Sequence, residues 1–209
     1  MRTKTINIYK FRELSEKAQE KALEKWRETE DFSFHSQNTI EDCCDIAEMF
    51  GLDIRQRKSR NGKNETIWNP SVYYSGFCSQ GDGACFEGSY QYKKGALKAV
   101  KTEYPNDTEL HKIVKNLQDL QKKYFYGISA NTYHSGHYYH ENCMHVNVDH
   151  CEHDINDEIE EGVTEILRDF ACYIYKRLET EYEFVMSDEY IRESIENGDY
   201  EFYEDGAMV

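Results

Sequence analysis

Histidine and cysteine, the side chains best suited to bind transition metals, are concentrated in one part of the chain. Six of the eight histidines lie within residues 134–153, together with two cysteines. Imidazole and thiolate are the usual protein ligands of zinc, which makes zinc the candidate metal. The candidate ligands are His137, His140, Cys143 and His145. Their spacing matches neither the period of a strand nor that of a helix, so histidines that only hydrogen-bond within a turn are the alternative.

A glycine-rich turn is the second place where chemistry could occur. The sequence SQGDG, residues 79–83, separates two runs of strand-favouring residues within residues 73–92. Glycine adopts the positive φ angles that a tight reversal requires, so the segment is predicted to be a β-hairpin. Gly76 and Gly88 interrupt the two strands, and a glycine inside a strand often marks a bulge or a close approach to the backbone.

Polar groups from both loops would converge if the loops leave the sheet at the same end. The predicted ligand-binding residues are Gln80, Gly81, Asp82, Gly83, His134, His137, Tyr138 and His140. Backbone amides of a glycine turn can face an anion, so the ligand would be a nucleotide-like small molecule. A carboxylate and a histidine could also perform acid–base catalysis. The alternative for Asp82 is a side chain that bonds its own turn.

The strands that would position these loops predict one mostly antiparallel sheet. Residues 124–133 and 144–148 have strand patterns and would pair around a loop at 135–142. Together with the glycine hairpin they give a sheet of four or more strands. A basic segment at residues 55–63 carries the turn pair Asn61-Gly62, which predicts a further hairpin tip. That segment is either a solvated loop or a phosphate contact.

Amphipathic helices are predicted to cover this sheet. Apolar residues repeat at spacings of three and four in four segments, of which the longest has a stripe over about seven turns. Two further short helices are predicted from their ends, one before Pro105 and one between Ser187 and Asn197-Gly198. The predicted helices are 15–29, 38–50, 96–104, 106–120, 154–182 and 187–197, with short strands at 6–11 and 200–203. The expected fold is therefore α+β, in a single domain over residues 1–209.

The negative charge of the chain is concentrated at its C-terminal end. The formal net charge is −15; residues 1–153 hold 22 acidic and 21 basic residues, and residues 154–209 hold 18 and 4. Such a surface repels nucleic acid or imitates it, and it attracts a basic partner. The predicted partner-binding residues are Glu158, Glu161, Glu165 and Asp169. The alternative is a solvated helix face that keeps the protein in solution.

Composition indicates a cytoplasmic protein without a membrane span. No apolar run approaches the ~20 residues that cross a bilayer, and the first ten residues lack the apolar core of a secretory signal. The seven cysteines cannot all pair with one another, which is typical of free thiols in a reducing compartment.

Four segments of the chain carry distinctive motifs, which are INIYKFRELSEKAQEKALEKW, SGFCSQGDGACFEG, HSGHYYHENCM and SDEYIRESIENGDYEFYEDG. Together they resemble a family of uncharacterised tailed-bacteriophage accessory proteins, whose members often carry the automatic label of an antitoxin of a toxin–antitoxin stability system. The resemblance spans most of the chain and brings no catalytic or binding residues with it. It implies a viral protein in the cytoplasm of the bacterial host that acts by binding a host protein.

Three functions are compatible with these features. The first is a phage factor that binds and antagonises a host or defence protein through its acidic helical surface, which would make it an anti-defence protein. The second is a binding module that sequesters a nucleotide-like small molecule at the 79–83 turn and the 134–143 loop. The third is a metal-assisted hydrolase. Because no recognisable catalytic set is present, the sequence favours a binding protein over an enzyme.

Overall fold

The computed structural model describes residues 2, 6–60, 66–152 and 155–209. In this described part the chain has six α-helices and ten short strands, so the fold is α+β, as the sequence predicted. The strands that pair do so antiparallel. Within the same residues, no helix has both the length and the hydrophobicity of a membrane span.

The six predicted helices are present, with shifted ends. Their bounds are α1 Glu16–Thr29, α2 Ser33–Met49, α3 Ala96–Glu103, α4 Thr108–Lys123, α5 Asp157–Val185 and α6 Asp188–Asn197. Ser15 and Ser187 cap α1 and α6 through their hydroxyl oxygens, because a helix leaves its first N–H groups unbonded. The predicted start of α4 at Asn106 was wrong, since Asp107 is the residue whose side chain accepts from the Leu110 N–H.

The ten strands form one four-stranded sheet and three two-stranded ones. Their bounds are β1 Tyr9–Lys10, β2 Leu52–Ile54, β3 Gln56–Arg60, β4 Thr66–Pro70, β5 Val72–Tyr74, β6 Ala84–Phe86, β7 Gly88–Gln91, β8 Ile128–His134, β9 Met144–His150 and β10 Glu201–Phe202. The large sheet has the order β2-β7-β8-β9, and the pairs are β1-β10, β3-β4 and β5-β6.

The chain divides into two compact units. One unit consists of Met1–Ser36 and Thr180–Val209, and the other of Gln37–Glu179. The first unit has a small core of its own in which Phe11 and Phe202 meet edge to face, with ring centroids 6.0 Å apart. The second unit contains the large sheet and both loops singled out in the sequence. The expectation of one domain over residues 1–209 stays a prediction.

The large sheet buries one face against helices and exposes the other. Side chains from alternate positions of β8 and β9 form the buried face, for example Ala130, Met144 and Val146. Burying such apolar surface is the main stabilising contribution to a fold of this kind. The predicted apolar stripe of α5 joins the same core: Ile159, Val163, Ile166, Phe170, Ile174 and Leu178 are buried.

The pairing of β8 with β9 is confirmed from end to end. The register runs from Ile128 opposite His150 to His134 opposite Met144. The predicted start of β8 at Tyr124 was wrong, because α4 continues to Lys123 and a turn follows. In that turn Phe125 and Tyr126 have φ angles of 54° and 64°, values that end both helix and strand.

The glycine hairpin is present but shorter than predicted. β5 and β6 pair over three positions, from Val72 opposite Phe86 to Tyr74 opposite Ala84. The predicted second strand breaks at Glu87 and continues as β7, which joins the large sheet. A Cβ atom on Gly88 would lie 2.4 Å from the carbonyl oxygen of Asp53 on β2. The close approach expected at this glycine is therefore that of the neighbouring strand β2 to its backbone.

Three smaller strand predictions had different outcomes. The basic segment forms the hairpin β3-β4, while its predicted tip Asn61-Gly62 lies outside the described residues. The strand expected at residues 6–11 covers only β1, because Phe11 begins a 3-10 turn. The strand expected at residues 200–203 is β10, which pairs with β1. The sequence did not predict β2.

Replacing Gln121 with leucine is expected to lower the free energy of unfolding by about 2–4 kcal/mol. The buried Gln121 side chain donates to the Ile128 carbonyl at 2.7 Å and accepts from the Ile128 N–H at 3.2 Å. Leucine fills a similar volume but leaves both backbone groups unpaired inside the protein. Urea denaturation measures the loss. The exposed Gln118 on the same helix provides the control, because Gln118→Leu should change stability by less than about 0.5 kcal/mol. Equal losses for the two variants would contradict a stabilising role of the Gln121 hydrogen bonds.

Candidate functional site

The two loops singled out in the sequence lie side by side. The Ser75 hydroxyl donates to the Tyr139 carbonyl at 3.3 Å and accepts from the Gly83 N–H at 3.1 Å. A Cβ atom on Gly83 would lie 2.7 Å from the Cβ of His140, so only glycine allows this approach. The strand that leads into the glycine turn also contacts α5, because the Tyr175 hydroxyl donates to the Gly76 carbonyl at 3.0 Å.

An aromatic cluster forms where the loops meet, and it consists of Tyr73, His134 and Tyr139. The ring of Tyr73 is 5.3 Å from that of His134 and 5.5 Å from that of Tyr139, and the last two are 5.2 Å apart. The Arg57 guanidinium lies 4.9 Å from the Tyr73 ring centroid, within range of a cation–π interaction. Flat rings beside a cation suit a planar ligand that carries negative charge.

Hydrogen bonds hold His134 in this cluster. The Glu87 carboxylate accepts from the His134 backbone N–H at 3.4 Å and from Arg55 Nη1 at 3.2 Å. The His134 Nε2 atom lies 2.9 Å from the Tyr138 carbonyl oxygen, which places a proton on that nitrogen. Of the predicted ligand-binding residues, His134 is thus the one whose ring belongs to the cluster.

Asp82 is directed at its own turn instead of the cluster. Its Oδ2 atom accepts from the Ser79 N–H at 2.7 Å and from the Cys78 N–H at 3.0 Å. The hydrogen bond from the Ser79 backbone holds the pKa of Asp82 below its usual value. This is the local role that the sequence left as the alternative. Gln80 and Gly81 are exposed at the tip of the turn.

The candidate zinc ligands face different neighbours. The His140 Nε2 atom is 3.1 Å from Cys143 Sγ, whereas the His145 Nε2 atom is 2.7 Å from Ser135 Oγ and its ring stacks on Tyr133. His137 is exposed. Among the described residues, no group of three or more His, Cys, Asp or Glu side chains could hold a metal ion. His153, which follows this stretch, lies outside the described residues.

The acidic residues predicted on α5 lie on one exposed face. Glu158 is already paired, because Lys123, the last residue of α4, and Tyr124, which follows it, both donate to its carboxylate. The hydrogen bond from Lys123 lowers the pKa of Glu158. Glu161, Glu165 and Asp169 make no ion pair with any cation that the structure describes. We call these three residues the acidic stripe.

Arg168 lies between the acidic stripe and the large sheet. Its Nη2 atom donates to the Met144 carbonyl at 3.4 Å, at the start of β9. Its Nε atom is buried and has no hydrogen-bond partner in the described structure. An N–H group in that situation costs free energy until an acceptor reaches it.

The seven free cysteines are expected to differ strongly in reactivity. Burial raises the pKa of Cys43 and of Cys85 to about 12, so almost none of either thiol is ionised at neutral pH. Cys78 and Cys151 are exposed. Alkylation by iodoacetamide, followed by mass spectrometry, should modify Cys78 and Cys151 in the native protein and the buried pair only after denaturation. Native labelling of Cys43 as fast as that of Cys78 would contradict the packing described above.

Sequence reasoning missed the aromatic cluster. In the sequence, Arg57 belonged only to the basic segment at residues 55–63, and Tyr73 only to the predicted hairpin at residues 73–92. In the structure β3 and β4 pair so that Lys58 is opposite the exposed Trp68, and the chain then turns to bring Tyr73 beside Arg57. No alternating pattern indicated these neighbours, because β3 has only polar residues and is mostly exposed.

Residues 35–188 match a protein family that is described as a domain of unknown function, DUF8835. The chain belongs to the DUF8835 family. The DUF8835 segment contains both loops, the aromatic cluster and the acidic stripe, whereas α1, β1 and β10 lie outside it. No curated protein and no solved structure matches the sequence. The function of this DUF8835 domain must therefore be argued from its own geometry.

Proposed function

We propose that this chain is a binding protein that engages a basic partner protein through the acidic stripe of α5. The observation that carries the proposal is the unpaired state of Glu161, Glu165 and Asp169 toward every described cation. Successive members are four residues apart, so they lie about 6 Å from one another along one side of the helix.

The unpaired charges have a cost that a partner would remove. Carboxylates four residues apart repel each other and weaken a helix by a few tenths of a kcal/mol per pair. Of the nearby lysines, Lys123 pairs with Glu158 and Lys176 with Glu109, and Lys176 also attracts Asp169 from beyond ion-pair distance. A basic surface would remove the repulsion and would be attracted over a distance, which raises the rate of association.

The phage resemblance supports the choice of partner. An accessory protein of that kind works inside the host cell, so we propose a host or defence protein with a basic surface as the partner. Binding would antagonise that protein in the cytoplasm of the bacterial host. Nucleic acid is a poor partner for the acidic stripe, because phosphates repel carboxylates.

Capture from a bacterial lysate tests this proposal with three tagged chains. The first is the wild type, and the second, the stripe-reversed chain, carries Glu161→Lys, Glu165→Lys and Asp169→Lys. The control chain carries the same charge change at three other exposed residues, Glu183 near the end of α5 and Glu189 and Glu193 on α6. A basic protein captured by the wild type and the control chain, but absent from the stripe-reversed chain, is the expected result. Equal capture by all three would remove the acidic stripe from consideration.

A second candidate function is a binding site for a nucleotide-like small molecule, because the Tyr73 ring contacts both Arg57 and Tyr139. A base could stack on Tyr139 while Arg57 binds a phosphate. Thermal shift with a panel of nucleotides tests it. Stabilisation should disappear in Tyr139→Ala and persist in Tyr133→Ala, whose ring stacks on His145 outside the cluster. No stabilisation by any nucleotide would exclude this candidate. The third function, a metal-assisted hydrolase, has no support from the described residues, and we do not propose it.

A further inference from the structure

The β3-β4 hairpin has one face that combines two cations with a tryptophan. Its register places Lys58 opposite Trp68 and Arg60 opposite Thr66. In an antiparallel pair, directly opposite residues project from the same face, and so do residues two positions apart along one strand. Lys58, Arg60 and Trp68 therefore share one face of the hairpin, which we call the basic aromatic face.

The opposite face of the hairpin carries the side-chain contacts. The Arg57 guanidinium lies against the Tyr73 ring, and Asn69 Nδ2 donates to Ser59 Oγ at 2.7 Å. Ser59 and Asn69 are half-buried. Because Arg57 and Ser59 alternate along β3 with the two cations of the basic aromatic face, that face points away from these contacts.

The Trp68 ring is available to a ligand. Its residue is 62% exposed, whereas Trp26, the other tryptophan of the chain, is half-buried and donates its indole N–H to Glu30 at 2.8 Å. Within the described residues, no aromatic ring stacks on Trp68 and no group accepts from its indole N–H. Apolar ring surface in water costs free energy, so a flat ring stacked on Trp68 would be stabilised there.

The two cations of the basic aromatic face are available as well. Lys58 and Arg60 are exposed, and neither pairs with a carboxylate that the structure describes. Arg55 at the base of the hairpin differs, because it pairs with Glu87 at 3.2 Å. Lys58 and Arg60 are two residues apart on one strand and thus about 7 Å from each other. Consecutive phosphates of an extended nucleic-acid strand have a similar spacing.

The charge around this face is positive although the chain as a whole is acidic. Residues 55–70 contain five basic residues and one acidic residue, while the net charge of the chain is −15. Neither β3 nor β4 contains a carboxylate. Salt at physiological concentration screens exposed charges that are more than about 8 Å apart. A polyanion held against the hairpin is therefore attracted chiefly by the charges of the hairpin itself.

We propose that the basic aromatic face binds single-stranded nucleic acid. A base stacks on Trp68, while Lys58 and Arg60 bind consecutive phosphates, which is the combination by which proteins hold single strands without reading their sequence. A duplex does not fit, because its bases are stacked on one another and present no free ring. This inference goes beyond the proposed function, and it uses neither the acidic stripe nor the aromatic cluster.

Single-stranded nucleic acid fits this face better than other anionic partners do. The carboxylates of an acidic peptide would bind Lys58 and Arg60 but offer no flat ring to Trp68. An anionic lipid surface would repel a chain whose net charge is −15 over its broad area of contact. A nucleotide strand supplies both a ring and a line of phosphates, so it complements the shape and the charge of the face together.

Tryptophan fluorescence tests the stacking in the unaltered chain. The probes are oligomers of thymidylate and of uridylate, each about 10 nucleotides long, added in about 50 mM sodium chloride. Both should quench the emission of Trp68 and leave that of Trp26 unchanged. The quenching should be absent in Trp68→Ala, and Trp68→Phe should keep most of the affinity when binding is followed by anisotropy of a labelled oligomer, because phenylalanine still offers a ring.

Salt titration separates the stacking from the phosphate contacts. Trp68→Ala should weaken binding by about tenfold and leave the slope of log affinity against log salt unchanged. Changing Lys58 and Arg60 together to glutamine should make that slope shallower by about 1.4, because each phosphate contact on a single strand contributes about 0.7. The control changes Lys98 and Lys101, which are exposed on α3, to glutamine and should keep the wild-type slope.

Several outcomes would overturn the inference. These are no binding of either oligomer, equal binding by Trp68→Ala and the wild type, and binding of a duplex as tight as that of the single strand. Binding lost in Tyr139→Ala but kept in Trp68→Ala would assign the nucleic acid to the aromatic cluster instead. A polyglutamate peptide or an anionic vesicle that binds as tightly as the oligomers would assign the face to an acidic protein or to a membrane. None of these results depends on the lysate capture, which tests the acidic stripe separately.

Discussion

Replacing Phe170 with alanine is expected to lower the free energy of unfolding by about 3–5 kcal/mol. Phe170 is fully buried, and its ring contacts Phe50 and Phe86 edge to face, with centroid distances of 5.0 and 5.9 Å. It therefore joins α5 to the end of α2 and to β6. Alanine would remove the buried ring and leave a cavity that the surrounding helices and strand cannot fill completely.

Urea denaturation followed by circular dichroism measures this loss. Phe125→Ala is the control, because that ring is 80% exposed and its removal should change stability by less than about 0.5 kcal/mol. A loss below about 1 kcal/mol for Phe170→Ala would mean that α5 does not pack on the core as described. The same unfolding curves report whether the two compact units unfold together.

Reversing the acidic stripe is expected to weaken partner binding by about 100-fold or more, because three attractive contacts become repulsive ones. The partner would be the basic protein captured from lysate, purified for a titration. The wild-type affinity should also fall as sodium chloride rises from about 50 to about 300 mM, since salt screens exposed charges. Both effects should appear chiefly in the association rate.

The control chain, with its charges reversed at Glu183, Glu189 and Glu193, separates a local contact from a general effect of net charge. It has the same net charge as the stripe-reversed chain and should lose less than about tenfold in affinity. If both chains lose affinity equally, the partner responds to overall charge, and the acidic stripe has no special role.

Local patterns explain why helices and the β8-β9 pair could be predicted from the sequence. The apolar period of α5 and the alternation of residues in β9 follow directly from the geometry of each element, and burial in the structure follows the same residues. The hydroxyls of Ser15 and Ser187 likewise mark helix starts that depend only on neighbouring residues.

Errors arose where tertiary contacts override local preference. The pattern at residues 84–91 is one continuous strand, yet the chain breaks at Glu87, because its backbone bonds Ser71 and Arg55 while β7 joins another sheet. The start of β8 was predicted too early, because the types of Phe125 and Tyr126 do not reveal that both residues have positive φ angles. Strand β2 was too short to give a clear period.

The candidate sites depend on contacts between distant parts of the chain. The sequence indicated that the glycine turn and the histidine loop could meet. The contact between Arg57 and Tyr73 could not be predicted, because it depends on where the folded chain places the β3-β4 hairpin relative to β5. The position of β9 at one end of the large sheet follows from the order of strands, which no single segment of the chain contains. The charges of α5 could be counted in advance, whereas their lack of partners required the fold.

A charge-swap cycle between Glu165 and the partner tests the central claim most directly. Cross-linking of the captured complex would identify the lysine or arginine of the partner that lies nearest Glu165. Glu165→Lys alone and the opposite change in the partner alone should each weaken binding by about tenfold, and the two together should restore most of the affinity. Losses that simply add, with no recovery in the double variant, would contradict a direct contact between the acidic stripe and a basic partner.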